Sequence, residues 1–181
     1  MRTPVSAKIV GVAMLAAGAW LASTSAHAVE QGDRAPAWMR TDFDDRPVMF
    51  PGVLAGRPAV VVFWATWCPY CKALMPYLED IQADYAEAGV KIIAINAKED
   101  GKEDPKAYVR SLRFPLIAVQ DGDAIANAYD VEYLPGLMIV GGDGVVAWRR
   151  AWTDLPAGRQ VAELWAGQIR EQLDALLGSA R

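Results

Sequence analysis

The sequence predicts an α/β fold, and three observations support that prediction. Apolar runs at residues 60–64 and 90–95 have the length and composition of buried strands. Apolar residues at helical spacing over residues 72–85 place a helix between them, and a strand, helix and strand at this spacing predict parallel pairing. Residues 137–140 and 145–148 flank a glycine-rich turn, which predicts an antiparallel hairpin. We therefore expect a single domain in which helices pack on a β-sheet.

The remaining elements follow from local signals. Residues 31–58 mix turn formers with short alternating runs, which predicts a small β-hairpin before the first core strand. Asp104 precedes a proline and is the expected N-cap of a helix. A short strand at residues 116–119 and a short helix at 123–129 come next. Residues 159–177 have one apolar face at helical spacing, which predicts a terminal helix packed on the core.

The N-terminus has the pattern of a secretory signal peptide. Arg2 and Lys8 supply positive charge, residues 9–22 form an apolar stretch of 14 residues, and Ala26-His27-Ala28 has the small residues of a cleavage site. The stretch is shorter than the ~20 residues that span a bilayer. We expect cleavage after Ala28, which leaves residues 29–181 as the mature domain in the periplasm. Retention of the segment as a membrane anchor is the less favoured alternative.

The charge balance restricts the partners. The chain has a formal charge of −4, and removal of residues 1–28 takes away two basic and no acidic residues, so the mature charge becomes −6. An acidic domain without a basic run argues against binding to nucleic acid or to an anionic membrane surface.

The most informative motif is Trp67-Cys68-Pro69-Tyr70-Cys71, which contains both cysteines of the chain. It lies at the predicted strand-to-helix junction, where first-turn amides and the helix dipole stabilise a thiolate, so Cys68 is expected to be acidic and exposed. Pro69 suits the first helical position. Cys71 lies one turn further on the same face, close enough to close a disulfide with Cys68. We expect Cys68 to attack a disulfide and Cys71 to resolve the resulting mixed disulfide.

A zinc site or a static disulfide accounts less well for the cysteine pair. A structural zinc site needs four ligands, and the only histidine, His27, lies in the segment expected to be removed. A static disulfide closing so short a loop would constrain the unfolded chain little. We therefore expect a redox-active Cys68-Cys71 pair that needs no metal and no organic cofactor.

The motif and its surroundings resemble the thioredoxin superfamily. The resemblance rests on residues 60–72, on Pro76 within the following helix, and on Tyr133-Leu134-Pro135-Gly136 before a strand. The N-terminal extension, the segment Phe63-Trp64-Ala65-Thr66-Trp67-Cys68 and the signal peptide resemble the periplasmic TlpA/ResA/DsbE-like oxidoreductases. The resemblance covers residues 32–177. It implies a thioredoxin-like fold, with a central mixed β-sheet flanked by helices and an N-terminal β-hairpin extension.

The resemblance also implies roles for residues around the motif. It implies a cis peptide bond between Leu134 and Pro135 that faces the cysteines, with Leu134 offering its backbone to an extended substrate segment. An ordinary trans proline at a strand edge remains the alternative. Trp67 is implied to pack beside the cysteines, partly exposed, as substrate surface. Pro69 and Tyr70 form the dipeptide that tunes the stability of dithiol against disulfide.

The sequence departs from the family at the acids near the cysteines. Thioredoxins bury an acid beneath the cysteines, and ResA-like proteins have a glutamate three residues after the second one; here these positions are Val62 and Leu74. Deprotonation of Cys71 must then rely on water or another acid. Glu79 and Glu99 are candidates by sequence proximity alone, and solvated surface carboxylates are the expectation for both.

These observations predict a periplasmic thiol:disulfide oxidoreductase that reduces the disulfides of exported proteins. The resemblance implies a membrane electron donor of the DsbD or CcdA type, and we expect a monomer. A DsbA-like disulfide donor and a non-catalytic binding or chaperone module remain alternatives. Copper handling is a further alternative, which the lack of histidine in the mature chain disfavours.

Overall fold

The computed structural model describes residues 28–152 and 161–179. The predicted signal peptide, apart from Ala28, lies outside the described residues. Seven strands, four α-helices and one short 3-10 helix make up the described part; in chain order they are β1 Trp38–Thr41, β2 Pro47–Phe50, the 3-10 helix Gly52–Leu54, β3 Ala59–Trp64, α1 Pro69–Asp84, β4 Lys91–Asn96, α2 Pro105–Ser111, β5 Ile117–Val119, α3 Asp123–Ala128, β6 Gly136–Val140, β7 Val146–Arg149 and α4 Val161–Ser179.

The main sheet is mixed, as the resemblance implies. Its strand order is β5-β4-β3-β6-β7, with β3, β4 and β5 parallel and β6 and β7 antiparallel to their neighbours. Every residue of the central strand β3 is buried. A parallel strand covered on both faces reads as a continuous apolar run, which is why the sequence pattern identified it.

Alternate residues of β3 point into two separate cores. Val62 and Trp64 belong to the core that also contains Leu74 of α1 and Ile169 of α4. Phe63 belongs to the opposite core, with residues of α3 and the N-terminal hairpin. This alternation follows from the two-residue period of a strand and gives the sheet a helical layer on each face.

The predicted N-terminal hairpin is confirmed as the two-stranded sheet of β1 and β2. Its turn is held by Asp42, whose carboxylate accepts hydrogen bonds from the backbone N–H groups of Asp44 and Arg46, both at 2.9 Å, and from Arg46 Nε at 2.8 Å. Burial raises the pKa of Asp42, but these hydrogen bonds outweigh it and hold the pKa below 3.8. The carboxylate therefore stabilises the folded hairpin in its ionised form.

The first and last helices are joined by a polar contact. The Tyr85 hydroxyl, just beyond α1, donates to Asp174 Oδ1 at 2.7 Å, and Arg170 pairs with Asp84 at 2.7 Å. Burial, and then the Asp174 carboxylate, raise the pKa of Tyr85 to about 12. These contacts hold α4 against the helix that begins at the cysteines.

Candidate active site

The dithiol lies where the sequence predicts it, at the carboxyl end of β3 and the start of α1. Cys68 is the N-cap of α1 with an extended backbone, and Pro69 is the first helical residue. The Cys71 backbone N–H donates to the Cys68 sulfur at 3.2 Å. The two sulfurs are bonded, and the Cα atoms lie 5.3 Å apart. The helix end thus directs an orphan amide at the sulfur that would carry negative charge.

The expectation that Cys68 is exposed is wrong for this disulfide form. Cys68 is 2% exposed and Cys71 is fully buried, whereas Trp67 and Tyr70 are 44% and 42% exposed. The Cys68 sulfur is turned inward because it is bonded to Cys71, whose side chain belongs to the core. The solvent-facing surface of the motif therefore consists of Trp67, Pro69 and Tyr70 around a recessed disulfide.

The peptide bond between Leu134 and Pro135 is cis. Gly136, the next residue, pairs with Phe63 in the antiparallel β3–β6 ladder. Because the strands run in opposite directions, Pro135 and Leu134 continue along the end of β3 that leads to Cys68. The half-exposed Leu134 lies just before β6, beside the end of β3 that leads to the dithiol. Its backbone N–H and C=O make no hydrogen bond to the other described residues.

The loop after β4 holds the segment that precedes the cysteines. Glu99 accepts hydrogen bonds from the Thr66 backbone N–H at 2.7 Å, the Thr66 hydroxyl at 2.5 Å and Asn96 Nδ2 at 2.5 Å. The expectation of a solvated surface carboxylate is therefore wrong for Glu99, which is half-buried. The parallel register that pairs Trp64 with Asn96 brings the two strand ends together. Glu79, by contrast, is exposed as expected.

Lys98 in the same loop contacts both active-site segments, and sequence reasoning did not identify it. Its carbonyl oxygen accepts from Trp67 Nε1 at 2.6 Å, and its ammonium donates to the carbonyl oxygens of Val131 at 2.5 Å and Glu132 at 3.2 Å. Its backbone has a left-handed φ of 59°. Lys98 thus links the cysteine motif to the segment before Pro135.

The two positions at which the family resemblance implies acids are apolar and buried in this protein. Val62 and Leu74 are each 0% exposed and lie in the same core as both cysteines. Neither side chain can exchange a proton. Among the described residues, no group of three or more His, Cys, Asp or Glu side chains could hold a metal ion.

Arg150, just after β7, is a charged residue of the site that sequence reasoning missed. It is 5% exposed, and its guanidinium lies 4.8 Å from the ring centre of Tyr133 and 4.6 Å from that of Trp165. One guanidinium nitrogen donates to the carbonyl oxygen of Pro135. Burial lowers the pKa of Arg150, opposed by Tyr133. In the sequence it is simply the second of two arginines after a strand, a pattern that predicts a solvated position.

The sequence matches a protein-family model and a named relative. The AhpC/TSA family model matches residues 31–149. The thiol-disulfide oxidoreductase ResA of Bacillus thuringiensis subsp. konkukian (strain 97-27) is 31% identical over 157 residues, which cover 85% of this chain and 80% of that protein.

Solved structures share the architecture. A hypothetical protein from Sinorhizobium meliloti 1021 has a TM-score of 0.72 at 19% identity and covers 84% of this chain and 87% of its own. A putative thiol:disulfide interchange protein DsbE from Chlorobium tepidum has a TM-score of 0.66 at 22% identity and covers 81% of this chain and 99% of its own. The chain therefore belongs to the AhpC/TSA family of thioredoxin-like proteins and is a thiol-disulfide oxidoreductase of the ResA/DsbE-like group.

Proposed function

We propose that this protein works in the periplasm and reduces the disulfides of exported proteins. The observation that carries the proposal is the asymmetry of the cysteine pair. Cys68 caps α1 and its sulfur accepts a hydrogen bond from the Cys71 N–H, whereas Cys71 lies one turn further along the helix. Both sulfurs are recessed in this disulfide form, so their position in the helix and not their exposure distinguishes them. The helix N-terminus stabilises a thiolate at Cys68.

In the first step the Cys68 thiolate attacks one sulfur of a substrate disulfide. A bond forms between Cys68 Sγ and that sulfur, the substrate S–S bond breaks, and the departing substrate thiolate takes a proton from water. In the second step Cys71 loses its proton to solvent and attacks Cys68 Sγ. The Cys68-Cys71 disulfide forms, the second substrate thiol leaves, and two electrons have passed to the substrate.

The backbone of Leu134 supports binding of an extended substrate segment. Its N–H and C=O make no hydrogen bond to the described residues and could pair with such a segment, as in strand addition to a sheet. Trp67 and Tyr70 offer exposed aromatic surface beside it. Main-chain pairing would tolerate many sequences, which suits a protein acting on several partners.

The compartment and the electron supply complete the proposal. Residues 1–28 have the features of an export signal, and an exported dithiol in an oxidising compartment needs a source of electrons to remain reduced. We therefore include a membrane electron donor of the DsbD or CcdA type that re-reduces the Cys68-Cys71 disulfide. The working unit is a monomer without a metal or organic cofactor.

Two variants test the proposal. Cys68→Ser should abolish dithiothreitol-linked reduction of insulin, and Cys71→Ser should accumulate mixed disulfides with periplasmic proteins through Cys68. A Cys68→Ser protein that captures the same partners as the unchanged protein would instead support the binding module.

The reduction potential tests the direction. It is measured by equilibration with glutathione, and a reductase should lie nearer to about −270 mV than to the about −120 mV of DsbA. A value near the DsbA end would reverse the proposed direction and leave the thiol-disulfide chemistry intact. The trapped partners then identify the substrates.

A further inference from the structure

We propose that Arg150 is a positioning residue for the exchange reaction, which holds the cis-proline segment in place and stabilises the Cys68 thiolate electrostatically. This proposal depends on the redox chemistry of the cysteine pair and not on the direction of electron flow. It assigns a function to a buried, charged side chain that the reaction steps leave unused.

The position of Arg150 is determined by packing and hydrogen bonds. The flat guanidinium is held between the rings of Tyr133 and Trp165, at 4.8 and 4.6 Å from their centres. It donates to the carbonyl oxygens of Pro135 and Ala151, and the Arg150 backbone N–H donates to Leu137 at 2.9 Å. A group held in this way from two faces and at its edge has little freedom to move.

The positive charge of Arg150 is not paired with any acid among the described residues. Within residues 28–152 and 161–179, no carboxylate lies within ion-pairing distance of its guanidinium, and its buried Nε has no hydrogen-bond partner. An arginine side chain stays protonated in proteins even when burial disfavours its charge. A full positive charge therefore lies in a poorly screened part of the site.

Trp165 connects this charge to the cysteine motif. The ring of Tyr70, which lies between the two cysteines in the sequence, is 6.2 Å from the ring of Trp165. Together with the 4.6 Å from Trp165 to Arg150, this places the guanidinium carbon no more than about 11 Å from the Tyr70 ring. Trp165 also belongs to the same buried cluster as Cys68 and Cys71. Apolar side chains rather than water occupy much of this region.

The expected size of the effect follows from Coulomb's law. With an effective dielectric constant of about 20, a unit charge shifts the pKa of a thiol by about one unit at a separation of about 10 Å and by about half a unit at about 20 Å. The sign is downward, because a cation favours the thiolate.

Other charged groups near the motif are more accessible to water than Arg150 is. All of them are half-exposed or exposed. Lys72 on α1 is paired with Glu103, Lys98 and Glu99 lie in the loop after β4, and Glu132 lies before Pro135. The phenols of Tyr70, Tyr108 and Tyr133 are further titratable groups of the described residues near the motif. Solvent screens the exposed charges more strongly, so the buried cation should contribute most per unit charge.

This arrangement is the reverse of a buried acid beneath the cysteines. Val62 and Leu74 supply no negative charge, and Arg150 supplies a positive one. A negative charge near the dithiol opposes thiolate formation, whereas a positive charge favours it. Stabilising the thiolate stabilises the reduced protein and makes the disulfide a stronger oxidant than it would be without Arg150.

The test compares Arg150→Gln with Arg150→Lys, each in a Cys71→Ser background so that only one thiol titrates. The pKa of Cys68 is measured from the ultraviolet absorbance of the thiolate and, independently, from the pH dependence of alkylation. Arg149→Gln is the matched control, because Arg149 is the adjacent residue and its guanidinium binds the carbonyl oxygens of Val29, Tyr129 and Asp130 on the other side of the strand.

We expect Arg150→Gln to raise the pKa of Cys68 by about 0.5–1 unit, and Arg150→Lys and Arg149→Gln to leave it within about 0.3 unit. With both cysteines present, Arg150→Gln should change the equilibrium constant with glutathione about three- to tenfold towards a more reducing protein, which is about 15–30 mV. An unchanged pKa in Arg150→Gln overturns the proposal. An equal rise in the Gln and Lys variants also overturns it, because packing and not charge would then be responsible.

A measurement on the protein with Arg150 intact covers the case in which Arg150→Gln does not fold. The Cys68 pKa of the Cys71→Ser protein is compared at low and high salt. A buried cation is screened little, so the pKa should change by less than about 0.3 unit, whereas a larger rise would mean that surface charges set it and would overturn the proposal. Failure of the proposed reducing direction would appear separately, in the potential of the unchanged protein.

Discussion

Replacing Glu99 by alanine is expected to lower the free energy of unfolding by about 2–4 kcal/mol. The carboxylate accepts three hydrogen bonds, two from Thr66 and one from Asn96, at 2.5–2.7 Å. Thr66 is fully buried and Asn96 is 6% exposed. The variant would leave the two Thr66 donors without a partner and would leave Asn96 Nδ2 with only its longer contact to the Trp64 carbonyl oxygen, at 3.5 Å. Each buried unsatisfied donor costs about 1–3 kcal/mol. Glu99 itself is half-exposed, so water would enter and satisfy part of the loss, which places the total below the sum.

The assay is urea unfolding of the oxidised protein, with the slope of the transition checked for constancy. Glu103→Ala is the control, because it also removes a glutamate from this loop, but one whose ion pair with Lys72 is about half exposed. Surface pairs of that kind contribute about 0.2–1 kcal/mol. The difference between the two variants measures what the buried donors add.

A double-mutant cycle tests the contact directly. Thr66→Val removes the hydroxyl donor but keeps the backbone N–H, so the Glu99→Ala substitution should cost at least about 1 kcal/mol less in that background. A loss below about 1 kcal/mol for Glu99→Ala, or a loss equal to that of Glu103→Ala, would refute the reasoning. So would strict additivity of the two substitutions.

The hairpin turn, the α1–α4 contact and two glycines supply three further predictions. Asp42→Asn should weaken the fall in stability below about pH 4. Hydrogen bonds outweigh burial and hold the pKa of Asp42 below 3.8, so the stability that this carboxylate contributes is lost as the pH falls through its folded pKa. Urea titrations between pH 2 and pH 6 measure the effect. Tyr85→Phe should reduce the loss of stability between pH 10 and pH 12. Burial and Asp174 raise the pKa of Tyr85 to about 12, so the stability that its hydroxyl contributes is complete below pH 10 and is lost as the pH rises through the folded pKa. Unfolding curves at alkaline pH measure the effect. Gly136→Ala should destabilise the protein by about 1–3 kcal/mol, because the added Cβ would lie 2.7 Å from Val131. Gly167→Ala, whose Cβ would meet no atom within 4 Å, should stabilise it by about 0.5–1 kcal/mol. A lower melting temperature for Gly167→Ala would contradict this prediction.

The sequence predicted those parts of the fold in which neighbouring residues carry the signal. The buried run of β3 and the apolar spacing of α1 follow from the periods of strand and helix, and Pro69 identified the start of α1 one residue after Cys68. The cis bond before Pro135 was implied by family resemblance, and the structure confirms it. For the strand and the helix, the information lies within a few consecutive residues.

Glu99 was misjudged because its partner lies 33 residues away in the chain. In the sequence it belongs to a charged loop, and such residues are mostly solvated. The signal that could have found it is the parallel pairing of β3 and β4, since parallel strands end at the same edge and bring the residues after Trp64 and Asn96 together. The exposure of Cys68 was misjudged for a related reason, because burial depends on which side chains surround a residue.

The sequence by itself determined the chemistry of this protein: two cysteines at a strand-to-helix junction and a proline after the first of them. The tertiary structure decided which charges act on that chemistry. It buried Arg150 between Tyr133 and Trp165 with a hydrogen bond to Pro135, and it joined Glu99 to Thr66. The physical reason is the separation along the chain of the residues that interact. Backbone geometry and helix capping depend on adjacent residues, whereas burial and electrostatic screening depend on distant segments that only the register of the sheet brings together.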